Sequence, residues 1–189
     1  MSEWELLARR MKTCTLCTEL AASRNTVVVG EHGQFMRRLA LVGEAPGAQE
    51  DATGRPFIGR SGQLLDQLLA DAGLARNETA VLSTIKCRPP GNRTPKRHEM
   101  ENCRYWLERQ LDLLDPRLTV ALGRTAASWF LGRDITLANA RGTVHRVGDR
   151  SLVVTYHPAA ALRFGPVGKP MAALRDDLAL AARLLGEAL

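Results

Sequence analysis

Residues 39–51, LALVGEAPGAQED, decide the fold. Leu39, Ala40, Leu41 and Val42 run without a polar break, as in a strand buried on both faces, and Gly43 ends the run. The turn Glu44-Ala45-Pro46-Gly47 joins glycine's conformational freedom to a proline of fixed φ, so a rigid loop with exposed backbone N–H groups is expected. Glu44, Glu50 and Asp51 gather three carboxylates beside it, in a chain of formal net charge +6. Open α/β sheets keep their sites at the carboxyl ends of strands, which makes this acidic turn the leading candidate.

Two further stretches read as buried strands: Ala80–Lys86, ending at Cys87, and Leu118–Leu122, ended by Gly123. Between the first and second, Leu64, Leu65, Leu68 and Leu69 recur at helical spacing behind Ser61, a candidate cap, with Gly73 as the stop. Thr94-Pro95 is a helix-start signal for Lys96–Leu114, where Met100, Cys103, Trp106, Leu107, Leu111 and Leu114 fall at helical intervals. Thr125–Leu131 reads as a short helix, Gly142–Val147 and Leu152–Tyr156 as strands joined by a Gly148-Asp149-Arg150 hairpin, and the chain from Pro170 as one last helix. Upstream, Ser2–Lys12 suits an amphipathic helix, Thr26–Gly30 a brief strand and Glu31–Arg38 a polar loop. Thr53–Gly62 is too rich in glycine for regular structure and carries one aromatic, Phe57. Alternating strands and helices predict a three-layer α/β/α fold around a mainly parallel sheet, one domain spanning 1–189.

A hydrophobic content of 45% over 189 residues supplies one full core. No apolar run approaches the roughly 18 residues of a membrane span, and the N-terminus MSEWELLARRMK lacks the apolar centre of a signal peptide, so a soluble cytoplasmic protein with no membrane partner is expected. A pI near 9.6 favours an anionic partner, most simply nucleic acid, though such a charge also serves solubility alone. The four cysteines fall as Cys14 and Cys17 in a CxxC, then Cys87 and Cys103 as singles flanking a basic loop. In a reducing compartment thiolate ligation is the better reading than disulfides, and both zinc and a [4Fe-4S] cluster accept four thiolates. His157-Pro158 closes the last strand, so Glu44, Glu50 and His157 can share a cleft at one sheet edge.

GEAPGAQED, GRPFIGRSGQLL, KCRPPGNRTP, the cysteine pattern and the HPAA segment together resemble the family 4, iron–sulfur uracil-DNA glycosylases over nearly the whole chain. The resemblance implies a DNA repair enzyme that flips uracil from single- or double-stranded DNA and hydrolyses its N-glycosidic bond as a monomer. It implies that Glu44, Glu50 and His157 are catalytic, His157 stabilising the uracil oxyanion and a carboxylate handling the sugar cation and water, with Asp51 in support. Phe57 would stack on the base, and Ala45, Gly47 and Ser83 would contact it. Arg88, Arg93, Lys96 and Arg97 would meet phosphates, and the segment with Leu162 and Arg163 would form a minor-groove loop, where Leu162 would fill the gap left in the duplex. Cys14, Cys17, Cys87 and Cys103 would hold a [4Fe-4S] cluster of structural role.

Two positions depart from the family pattern. Ser83 stands where an asparagine is usual four residues before the third cysteine, and Ala159 replaces the serine of HPS. The family X enzymes, which crosslink to the abasic sugar, carry a histidine where Asn92 stands, and their GEQPG form of the first motif is absent. Ordinary turnover is therefore expected. A non-catalytic nucleic-acid-binding module with a four-cysteine zinc site and a family X-like covalent binder are the alternatives.

Overall fold

The computed structural model describes residues 1–36 and 38–186. Arg37 and residues 187–189, at the ends of the expected polar loop and of the 1–189 span, lie outside the described residues. Five strands form one sheet: β1 (Leu39–Gly43), β2 (Thr79–Ser83), β3 (Leu118–Leu122), β4 (Val144–Val147) and β5 (Arg150–Thr155), in the order β2-β1-β3-β5-β4. The first four in that order run parallel, and β4 closes the edge antiparallel to β5 as the expected hairpin. Every residue of β1, β2 and β3 is buried, the polar Thr79, Ser83 and Thr119 included, and β2 ends at Ser83 rather than running on to Lys86 as expected.

The two faces of the sheet take different side chains because the strand period is two. Leu39 and Leu41 of β1, with Val81, Val120 and Val153, meet helices α4 (Arg60–Asp71), α8 (Pro158–Phe164) and α9 (Lys169–Gly186). Ala40, Val42, Ala80 and Ala121 face α5 (Arg97–Leu114) and α6 (Arg124–Leu131), where small strand residues admit the bulk of Leu107, Leu111 and Trp129. The result is the three-layer α/β/α architecture. A third cluster joins α1 (Glu3–Lys12) to α5 through Leu7, Met11, Val27, Val29, Ile85 and Trp106, and the four cysteines line its end. Ser2 does cap α1, in a reciprocal capping box with Glu5.

Four local expectations are corrected. Thr26–Gly30 is extended but outside the sheet: Val28 N–H reaches the Lys86 carbonyl, and only Glu31 makes a β-bridge, to Val81. Helix α4 starts at Arg60 with Gly59, not Ser61, at its N-cap, because Glu50 satisfies the backbone N–H groups of Ile58 and Gly59 from outside the helix. The acidic segment is not all loop, since Ala48–Thr53 forms α3. Helix α5 begins at Arg97, two residues after Pro95, with Lys96 as its N-cap.

Candidate active site

The sheet reverses its winding between β1 and β3, the position where open α/β sheets form their ligand crevice. Register places Gly43 beside Ser83, and Leu122 beside Thr155, so the segments leaving β1, β2, β3 and β5 emerge together. A cleft of about 810 Å³ opens there, lined by Glu44, Ala45, Gly47, Glu50, Phe57, Ser83, Arg93, His157 and Arg163 among the residues expected from sequence. Two glycines admit its aromatic walls. A Cβ on Gly43 would lie 2.7 Å from Phe57 Cε2, and one on Gly123, whose φ is +95°, would lie 3.1 Å from His157 Cβ. The Phe57 and His157 rings thereby settle 5.6 Å apart at a 31° tilt.

His157 is the N-cap of α8, and its Nδ1 accepts the Ala159 N–H at 3.1 Å. Burial lowers its pKa to about 4, against the opposing pull of the Glu50 charge. A neutral ring whose Nδ1 accepts must carry its proton on Nε2, the nitrogen that faces Gly43. The two carboxylates differ in what they already hold. Glu50 Oε1 accepts from Ile58 and Gly59 N–H, both at 2.9 Å, and Oε2 accepts from Gly47 N–H at 3.1 Å, so this side chain fastens one cleft loop to another. Glu44 accepts the Thr125 hydroxyl through Oε2, across the point where the sheet reverses, and no other donor among the described residues reaches its carboxylate. Asp51 is buried and accepts from Asn25 and Thr26, tying the N-terminal segment to α3 rather than facing the cleft. Ser83 Oγ donates to the Ile85 carbonyl at 2.8 Å, so its remaining capacity is to accept.

The four cysteines line one small pocket together with Leu20, Arg24, Lys86 and Asn102. Three side-chain N–H donors address the sulfurs: Arg24 to Cys87 at 3.1 Å, Trp106 to Cys14 at 3.4 Å and Asn102 to Cys17 at 3.6 Å. Burial pushes the Cys103 thiol up to about 12 and raises those of Cys17 and Cys87. Lys86, 1% exposed, has no ion pair among the described residues, and its ammonium donates to the Ser83 carbonyl at 2.7 Å. Burial lowers it to about 8, while Cys103 and Cys87 draw it the other way. A buried ammonium without a carboxylate calls for negative charge nearby, and N–H donors aimed at sulfur suit thiolates shared with a metal group. Among the described residues no three His, Cys, Asp or Glu side chains close on a point suited to a single ion. Four thiolates with N–H donors to their sulfurs suit a tetrahedral zinc and a multinuclear cluster alike.

The uracil DNA glycosylase superfamily model matches residues 31–179, which contain the sheet and the cleft. The chain belongs to the uracil DNA glycosylase superfamily. Within it, a type-4 uracil-DNA glycosylase of Thermotoga maritima is 42% identical, over 84% of this chain and 83% of that protein. Type-4 enzymes of Pyrobaculum aerophilum (40%, over 81% of each chain) and Sulfurisphaera tokodaii (36%, over 86% of this chain and 77% of that one) are similar as well, and a type-5 enzyme of P. aerophilum is 32% identical. These matches agree with the type-4 resemblance of the motifs.

Of the basic residues expected to meet DNA, Arg93 and Arg163 line the cleft while Arg88, Lys96 and Arg97 lie outside its lining, and they carry unequal freedom. Arg93 grips the buried Glu99 with two hydrogen bonds, at 2.6 and 2.9 Å, which raises the arginine and lowers the glutamate in pKa. Lys96 pairs with Glu19 at 2.5 Å. Arg88 donates to Asn92, and Arg97 forms an exposed pair with Glu101 at 2.8 Å. Leu162 is 37% exposed on α8, but Phe164 and Val167, just beyond it, are 65% and 98% exposed. Sequence reasoning missed this apolar tip, although two bulky apolar residues bracketing Gly165-Pro166 were a readable signal. Thr125 was missed too, two residues after a strand-ending glycine.

Proposed function

We propose that this protein is a monofunctional uracil-DNA glycosylase of base excision repair, acting as a cytoplasmic monomer with the whole chain, 1–189, as one domain. The observation that carries the reading is His157, its Nδ1 taken by the Ala159 N–H, beside the Phe57 ring in the cleft at the carboxyl end of β1. Uracil flipped from single- or double-stranded DNA stacks on Phe57, with the Ala45–Gly47 turn and Ser83 at its polar edge; extrusion costs a few kcal/mol. Gly47 N–H is already given to Glu50, and Ser83 presents an acceptor, which matches the N3–H of uracil and not the N3 lone pair of cytosine. As the C1′–N1 bond breaks, its electron pair passes into the base, and His157 Nε2–H stabilises the resulting oxyanion by about 3 kcal/mol. Water adds to C1′ and gives its proton to a carboxylate. Glu44 suits that step because Glu50 is spent on backbone donors, so Glu50 holds the catalytic loops in place.

The cysteines Cys14, Cys17, Cys87 and Cys103 would hold a [4Fe-4S] cluster, which supplies a covalent staple between the N-terminal segment and α5. Arg88, Arg97 and Arg163 are the phosphate contacts best supported, with Arg93 and Lys96 bracing the loop, and the Leu162–Phe164 tip enters the gap left by the flipped base. Release of free uracil from uracil-containing oligonucleotides tests the reading. Iron-loaded protein that releases none at any enzyme excess would sink it, and colourless protein with stoichiometric zinc after anaerobic preparation would sink the cluster.

A further inference from the structure

Phe57 holds a left-handed backbone, φ +49°, in a loop with no regular structure of its own. Bulky residues stay in that region only where their surroundings over-determine it. One side chain does so here. Arg76, in the short 3₁₀ turn Arg76–Glu78 ahead of β2, donates Nη1 to the Phe57 carbonyl at 3.0 Å and Nη2 to the Pro56 carbonyl at 2.6 Å. The same guanidinium is anchored from behind: Nη1 reaches Asp66 of α4 at 2.8 Å, and Nε reaches Glu31 at 2.7 Å, next to the bridge from Glu31 to Val81. None of Arg76, Glu31 and Asp66 lines the cleft.

We propose that Arg76 is a positioning residue for base capture, a clamp that fixes the Phe57 ring against Gly43 so that the stacking surface is in place before the base arrives. The proposal rests on the reading of Phe57 as the stacking platform. A planar fork with five donors is what two adjacent carbonyls and two carboxylates require; a lysine, with one point charge and three donors on a flexible stem, cannot span them. Without Arg76 both carbonyls lose their donors, and the left-handed backbone is held only from its far side, through the Ile58 and Gly59 N–H groups on Glu50. The ring then leaves the gap that glycine at position 43 keeps open, and the benefit of preformed stacking disappears with it.

A double-mutant cycle tests the clamp. Single-turnover uracil excision is measured for F57A, R76A, R76K and the F57A/R76A pair, well below each melting temperature. R76A is expected to slow excision about tenfold, R76K to rescue little, and the pair to be no slower than F57A alone. If the two losses multiply instead, or R76A excises at the wild-type rate, the clamp is overturned. F57A at the wild-type rate would overturn the stacking reading itself and the clamp with it. Should R76A fail to fold, E31Q/D66N, which keeps the arginine but loosens its anchors, runs the same cycle with the same two outcomes. A merely stabilising Arg76 would lower the melting temperature of every variant and leave its effect on excision independent of Phe57.

Discussion

At the cleft, single side chains separate chemistry from scaffolding. His157→Ala is expected to lower kcat by about 10²–10³, on the order of the loss when one oxyanion donor is removed, with DNA affinity changed far less; equal losses in both would reassign it. Its pKa near 4 sets a pH window: the unfolded chain takes up a proton below about 6.5 and the folded chain does not until about 4. The stability owed to burying neutral His157 is thus complete above pH 6.5 and is lost as pH falls through 4. Excision should show no His157 step near 6.5; a kcat that falls as pH rises through 6.5 would mean that a charged ring is at work. Glu44→Gln should cost kcat at an unchanged melting temperature, whereas Glu50→Ala should lower both, since it frees three backbone N–H groups. Ser83→Asn adds an amide donor for uracil O4 and is expected to raise kcat/KM several-fold; an unchanged value would mean that backbone groups read the base.

Among the elements, legibility followed burial. Strand β1 announced itself as an unbroken apolar run, β2 and β3 as mainly apolar ones, and α4, α5 and α9 as stripes at helical spacing. Short helices without a stripe stayed hidden: α2 (Thr18–Ser23), α7 (Leu137–Ala140), and α8, which is set up by Pro158 at its first position and His157 as its cap. Thr26–Gly30 has the composition of a strand, yet the flank of β2 that it follows is shared between one bond to Lys86 and the Glu31 bridge, so no ladder forms. The glutamates and the histidine of the site were visible because strand ends and glycines mark them. Thr125 and Arg76 act only through contacts made across the fold, and no local pattern carries such contacts. At the end of α8, the exposed Phe164 makes a prediction of its own: Phe164→Ala should reduce excision from duplex DNA more than from single strands, because only a duplex has a gap to fill. Equal losses on both substrates would exclude the wedge.

Across the whole molecule, the cleft and the cysteine centre are joined by a short path, with Lys86 between Cys87 and the Ser83 carbonyl. Cys103→Ser should abolish the broad absorbance near 400 nm expected of a cluster and lower the melting temperature by several degrees, while the far-ultraviolet signal of the sheet persists; full retention of stability would make the centre dispensable to the fold. No helix among the described residues is long and apolar enough to cross a membrane. The hydrogen bonds that hold the N-terminal segment span long stretches of chain: Arg24 to Cys87 across 63 residues, Asn102 to Cys17 across 85 and Trp106 to Cys14 across 92. During synthesis the first two cysteines therefore leave the ribosome long before their partners, and the loops they must close are as long as the one that brings β1 beside β3. The four cysteines can come together only once residue 103 has been made, and by then β1 and β2 have emerged while β3 and β5 have not, so the cysteine corner can close before the sheet is complete.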